Sequence, residues 1–155
     1  FKEFLAVIKD LFNTSQLVLA QSFIQSDFDW RIGVLNNKPI FACKYYMADS
    51  HWQIYNWSNP VQNEGNSRSY KIEDVPKNVI ETAVTSASLI GNGLFGVDLK
   101  EVDNEVYLIE INDNPNIDYG YEDEIDGYDL YKEIVSFLFD NIDKERNNIR
   151  YLNKP

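Results

Sequence analysis

Residues 29–35 and 38–47 alternate apolar and polar side chains on either side of Asn36-Asn37, and no other stretch constrains the fold as strongly. A period of two is the signature of a half-buried strand, and asparagine tolerates the positive φ that a two-residue hairpin turn demands. With Asn36 and Asn37 as the loop, the expected cross-strand pairs are Gly33 with Ile40, Arg31 with Ala42 and Asp29 with Lys44. One face then carries Asp29, Arg31 and Lys44, and the other carries Trp30, Ile32, Val34, Phe41, Cys43 and Tyr45. A slip of one residue would turn the charges into the core, so the pattern itself specifies a register.

A second hairpin is expected from 94–102 and 106–111, closed by the three residues Asp103, Asn104 and Glu105. Phe1, Phe4, Leu5, Ile8, Leu11 and Phe12 recur at helical spacing, as do Val79, Ile80, Ala83, Val84, Ala87 and Ile90 behind Pro76. Leu130, Ile134, Leu138 and Ile142 mark a final amphipathic helix. The run 17–24 has strand length and composition, 51–57 reads as another short strand, and 58–70 reads as an exposed loop. The expected class is α+β, a mostly antiparallel sheet flanked by helices.

The chain has 155 residues, with 25 acidic against 14 basic side chains and a formal net charge of −11. That balance argues against general nucleic-acid binding, which needs a Lys/Arg surface to neutralise phosphates, and against docking on anionic membrane. Seven of the acids (Asp113, Asp118, Glu122, Asp123, Glu124, Asp126 and Asp129) fall in one segment without a single Lys or Arg. A single cysteine, Cys43, excludes an intrachain disulfide framework and fits a reducing, cytoplasmic setting. No apolar run approaches the ~18–20 residues of a membrane span, and no signal peptide is visible. The chain begins with Phe inside a helical pattern, and a fragment of a longer protein is expected.

The three-residue loop places Asp98 opposite Glu110, with Asn112 projecting from the same face two residues on. Directly opposed like charges are destabilising. Two carboxylates and an amide oxygen converging on one patch suit Mg²⁺ or Mn²⁺, whose charge removes the repulsion. A solvated sheet face with Lys100 nearby fits the same pattern, and a two-residue loop would send Asp98 and Glu110 to opposite faces.

The run Phe95-Gly96-Val97-Asp98-Leu99, followed by Ile109-Glu110-Ile111-Asn112 and Asn114-Pro115, resembles the metal-binding signature of the ATP-grasp superfamily, with the RimK-like glutamate ligases as the most similar branch. The resemblance implies that Asp98, Glu110 and Asn112 hold two Mg²⁺ ions against the phosphates of ATP. Residues 19–24 resemble the strand leading to the hinge that holds adenine, which would assign Gln21, Ser22, Phe23 and Ile24 to the nucleotide. Ser22 stands where the family usually has an acid, so main-chain contacts are implied there. Asp29-Trp30-Arg31 resembles the family's Asp-x-Arg, Lys44 matches a basic position on the partner strand, and Asn56 matches a phosphate-proximal asparagine.

The resemblance implies the second half of an ATP-grasp unit, with 1–22 the end of the lid subdomain and 23–155 the metal-binding domain. The Gly-rich phosphate loop and the upstream lysines would precede Phe1, and the chain alone would be inactive. The implied reaction is ATP-dependent carboxylate–amine ligation through an acyl phosphate, on small-molecule or peptide substrates such as glutamate, with Arg31 and Lys44 steadying the phosphates. From the residues alone, a calcium-binding module competes: Glu122, Glu124, Asp126, Gly127, Tyr128 and Glu133 fall at EF-hand-like loop positions. Pro115 and Gly120 bar the helix that such a loop requires before it. A third reading is a non-catalytic domain whose acidic segment captures a basic partner, or simply a solvated loop.

Overall fold

The computed structural model describes residues 1–49, 51, 53–56 and 65–152. Its elements are α1 (Lys2–Leu11), β1 (Phe28–Leu35), β2 (Lys38–Tyr46), β3 (Ser67–Tyr70), α2 (Lys77–Ser88), β4 (Leu94–Val102), β5 (Glu105–Asn112) and α3 (Tyr128–Leu152), with a single 3₁₀ turn, Ile72–Asp74, before α2. The five strands form one antiparallel sheet in the order β3-β2-β1-β4-β5. The chain is therefore α+β, as its patterning implies.

Both hairpins turn on two residues with positive φ: Asn36 and Asn37 at 50° and 60°, Asp103 and Asn104 at 52° and 63°. Each ladder then shifts by one residue at a β-bulge, which places an extra residue on one strand. In the first hairpin the shift falls between Gly33 and Val34, with Ile40 as the extra residue, so Arg31 pairs with Cys43 and Trp30 with Lys44. The expected pairs of Arg31 with Ala42 and Asp29 with Lys44 are thus off by one. The shift has a packing reason: Ile40 and Phe41 both enter the cluster under α3, and the Phe41 ring lies where a Gly33 side chain would be.

One sheet face packs Trp30, Ile32, Val34, Ala42, Phe95, Val97 and Leu99 against Val79, Ala83 and Ala87 of α2. The other buries Leu35, Ile40, Phe41 and Cys43 beneath Leu130 and Ile134 of α3. Only the first turns of α3 are covered, since Leu138 and Ile142 are exposed, and Ile90 lies exposed beyond the end of α2. None of the α1 residues is buried.

Three expectations for the connections change. Residues 17–24 form no strand; among the described residues of 51–56 Tyr55 alone makes a bridge; and the end of the expected loop is β3. Positions 52 and 57–64, which complete those two expectations, lie outside the described residues. No described helix is long and apolar enough to cross a membrane.

Candidate functional site

The cross-strand pairs line up one row across the whole sheet: Ser69, Cys43, Arg31, Asp98 and Glu110, from β3 to β5. Paired residues share a face, so Arg31, Asp98 and Glu110 stand side by side on the face away from α2. The route to this juxtaposition differs from the expected one. The β4–β5 loop has two residues, not three, and a bulge between Asp98 and Leu99 leaves Ile109 extra. Leu99 pairs with Leu108 and Asp98 with Glu110, so the bulge restores the pairing that the shorter loop would have broken.

Arg31 grips Asp98 with two parallel hydrogen bonds, Nε to Oδ1 and Nη2 to Oδ2, both 2.8 Å. These bonds push the guanidinium pKa up further, outweighing the opposing effect of its burial. Glu110 is exposed and accepts neither of these two bonds. Asn112 pairs with Gly96 one step along the same face, and its Oδ1 accepts the Asn114 N–H at 2.8 Å. Pro115 then folds down on Gly96: a Cβ added there would lie 2.7 Å from Pro115 Cβ. The glycine thus keeps the chain after Asn112 close against the site.

Lys44 lies on the opposite face. Its Nζ sits 3.6 Å from the Phe28 ring centroid and 4.4 Å from that of Trp30, with Tyr70 at 5.6 Å. The expectation that Arg31 and Lys44 share a face fails because of the bulge at Ile40. Lys44 is a cation held by aromatic rings, on the side of the sheet that faces α2.

Two residues along from Arg31 and Asp98, on the same face, Asp29 and Lys100 form a second ion pair at 2.5 Å. Lys100 Nζ also donates to Ser26 Oγ at 2.7 Å. Burial raises the Asp29 pKa despite the opposing pull of Lys100. This pair lines a cavity of about 490 Å³, whose walls also include Gln21, Ser22, Phe23, Ile24 and Ile109. The size and apolar walls suit a small organic ligand. Gln53, Ile54 and Tyr55 complete the lining, with Asn56 half-buried directly after them. The cavity residues Asp29, Lys100 and Ile109 were absent from the expected site, although Lys100 falls two residues after Asp98 and so had to share its face.

The acidic segment 113–129 is only partly solvated: Asp113, Asp118, Glu124, Asp126 and Asp129 are exposed, and two acids turn inward. Glu122 and Asp123 are 2% and 5% exposed. Glu122 accepts from the Tyr45 hydroxyl and from the Asp118 N–H, and Asp123 from the Gly120 N–H and the Tyr131 hydroxyl. Ser69 ties the segment to β3, donating its hydroxyl to the Tyr121 carbonyl and its N–H to Glu124. Two of the EF-hand-like positions, Glu122 and Glu124, are therefore spent on internal bonds, and among the described residues no group of three or more His, Cys, Asp or Glu gathers as a metal cage. Covering the Ser69–Cys43 half of the row leaves Arg31, Asp98 and Glu110 as the open half.

No protein-family model matches the sequence, and no curated protein matches it. Solved structures do match. The macrocyclase MdnC bound with precursor peptide MdnA, from Microcystis aeruginosa MRC, aligns over 76% of this chain at 17% identity with a TM-score of 0.52. The ATP-grasp ligase PsnB complexed with minimal precursor aligns over 74% at 17% identity with a TM-score of 0.51. The chain shares the fold of ATP-grasp ligases. It spans about a third of the length of these structures, 34% of the first and 35% of the second. A further PsnB structure, with a TM-score of 0.50, is complexed with a phosphomimetic variant of minimal precursor, Mg and ADP.

The donor set fits a divalent cation. Asp98 and Glu110 are directly opposed, and carboxylate and amide oxygens are the ligands that Mg²⁺ and Mn²⁺ take. Each Asp98 oxygen accepts one hydrogen bond from Arg31 and keeps a further lone pair.

Proposed function

We propose that this chain is the nucleotide- and metal-binding portion of an ATP-dependent carboxylate–amine ligase of the RimK-like kind. The observation that carries the reading is the Arg31–Asp98–Glu110 row, set next to the cavity walled by residues 21–24. Asp98, Glu110 and Asn112 would hold Mg²⁺ or Mn²⁺, and the cavity would take the adenine of ATP against the main chain of Gln21, Ser22, Phe23 and Ile24. Asn56 is assigned to the phosphates on the sequence resemblance.

The bound cation supplies charge neutralisation at the transferring phosphoryl group. Arg31 would serve the same task through its permanent charge and the N–H groups not bonded to Asp98. A substrate carboxylate would attack the γ-phosphorus of ATP, breaking its bond to the β–γ bridging oxygen and releasing ADP, to give an acyl phosphate; an amine would then displace inorganic phosphate and lose a proton to form an amide. The precursor peptides named for MdnC and PsnB favour a peptide or amino-acid substrate. Residues 1–22, whose helix has no buried residue, belong in this reading to a lid that closes over the nucleotide, and 23–155 to the metal-binding domain. A cytoplasmic setting follows for an enzyme that consumes ATP.

Isothermal titration of the protein with Mg²⁺–ATP should show binding that Glu110→Ala abolishes. Equal affinity in the two proteins would overturn the assignment.

A further inference from the structure

The acidic segment reaches the open half of the row through one side chain. Tyr45 shares a face with Arg31, and the Arg31 Cζ lies over its ring, 5.3 Å from the centroid. The hydroxyl at the far end of that ring donates to Glu122. The other Glu122 oxygen accepts the Asp118 N–H at 2.8 Å. Glu122 is 2% exposed, and a buried carboxylate is tolerated only when its oxygens are satisfied, as both are here. Its negative charge also favours the charged guanidinium. Burial, followed by the bond to Glu122, pushes the Tyr45 phenol well above its ordinary pKa, so the hydroxyl stays a donor.

Arg31 is thus confined on two sides, in the plane of its fork by Asp98 and across its face by an anchored ring. A guanidinium stacked on an aromatic ring loses less freedom when it forms hydrogen bonds than one swinging in solvent. We propose that Tyr45 and Glu122 are positioning residues for Arg31: the ring, anchored by Glu122, holds the guanidinium in its two-bond grip on Asp98 and keeps Glu110 as the uncommitted carboxylate of the pair. The buried Glu122 of the segment 113–129 thereby gains a role that neither a calcium loop nor a solvated rim provides. The consequence for ligand binding rests on the function proposed above, whereas the effect on Arg31 does not.

The experiment follows the Arg31 Nε–Hε resonance by NMR in the wild-type protein, Tyr45→Phe, Glu122→Gln and the double variant. Tyr45→Phe keeps the ring and removes its anchor; Glu122→Gln removes the charge and keeps the shape. Each single variant should speed Hε exchange with water by about threefold or more, and the double by no more than the larger single, because the two act as one unit. The amides of Val79 and Ala83, across the sheet, should not change, which separates positioning from general loosening. An unchanged Arg31 resonance in Tyr45→Phe, or a double variant in which the effects add fully, would overturn the proposal. Tyr45→Phe removes one oxygen atom and decides the matter even where Glu122→Gln unfolds the segment. Mg²⁺–ATP affinity, measured in parallel, should weaken about threefold in both singles. Absence of Mg²⁺–ATP binding in the wild-type protein would defeat the proposed function and leave the Arg31 exchange rates to judge the positioning.

Discussion

Arg31 on β1 faces Asp98 on β4 across the sheet, and two hydrogen bonds of 2.8 Å join them, while Glu110 stands on the other side of Asp98 with no cation of its own in that row. The pair is about three quarters buried, with side-chain exposures of 26% and 21%. Its contribution is accordingly larger than that of a surface ion pair and smaller than that of a fully buried one. Arg31→Ala is expected to cost about 1–2 kcal/mol in urea denaturation. In a Glu110→Gln background the loss should shrink by about 0.5 kcal/mol, because Asp98 then no longer faces a like charge. An equal loss in both backgrounds would show that the two carboxylates do not repel.

Glu110→Gln separates stability from ligand binding. Without a divalent cation the variant should be as stable as the wild type, to within about 0.5 kcal/mol. Mn²⁺ at a hundredfold excess over its dissociation constant would stabilise the wild-type protein by about 2.7 kcal/mol. The variant should show little of that gain in a thermal melt. A full Mn²⁺ response in Glu110→Gln would place the cation elsewhere.

Cys43 is fully buried, and burial pushes its thiol from 9.0 up to about 11. For an acid held protonated in the fold, the folded state keeps a proton that the unfolded chain releases. Stability is therefore expected to fall as pH rises from 9.0 towards 11. Cys43→Ala should flatten that slope between pH 9 and 10, at the lower end of the same window. Folded protein at pH 8 should react with iodoacetamide only through transient opening, since the thiolate is the reactive form.

Gly96 allows Pro115 to lie against β4 after Asn112. Gly96→Ala puts a methyl 2.7 Å from Pro115 Cβ and should destabilise the fold by about 1–3 kcal/mol. Pro115→Ala in the same chain leaves that Cβ in place but removes the ring, and should recover only part of the loss. Full recovery would mean that the ring, and not the closeness of the backbone, sets the cost.

Lys44 tests the face assignment. Lys44→Met keeps the apolar stem among Phe28, Trp30 and Tyr70 and removes the charge, at an expected cost of about 0.5–2 kcal/mol of stability. Mg²⁺–ATP affinity should stay within about twofold of wild type, because the sheet separates Lys44 from Arg31. A large loss of nucleotide affinity would contradict the geometry.

Much of this molecule is legible from residue order because local rules govern it. Alternation in 29–47 and 94–111 announces two hairpins, and asparagines at 36, 37 and 104 mark their turns, since each adopts a positive φ. The helical stripe Val79, Ala83, Ala87 and the pair Leu130, Ile134 are core, as their spacing implies. The pairing of Asp98 with Glu110 is legible too, though through two compensating features: a loop one residue shorter than expected and a bulge at Ile109. Bulges escape sequence patterning because they answer to packing on both sheet faces at once. Ile40 is extra because Phe41 must fill the space over Gly33 beneath α3, and that requirement comes from residues nearly a hundred positions away.

The sequence by itself determined the α+β class and the two hairpins, because turn chemistry and strand periodicity act within a few residues, whereas the Asp98–Glu110 pairing it implied is reached only through a bulge. Only the tertiary structure decided that Lys44 leaves the site, that Lys100 and Asp29 join it, and that Glu122 turns inward to meet Tyr45. The Lys100–Asp29 pair depends on β1 lying next to β4, and the places of Lys44 and Tyr45 depend on a one-residue shift in register. A shift of that size exchanges the two faces of a sheet, and the energy that selects it comes from contacts between elements distant in the chain.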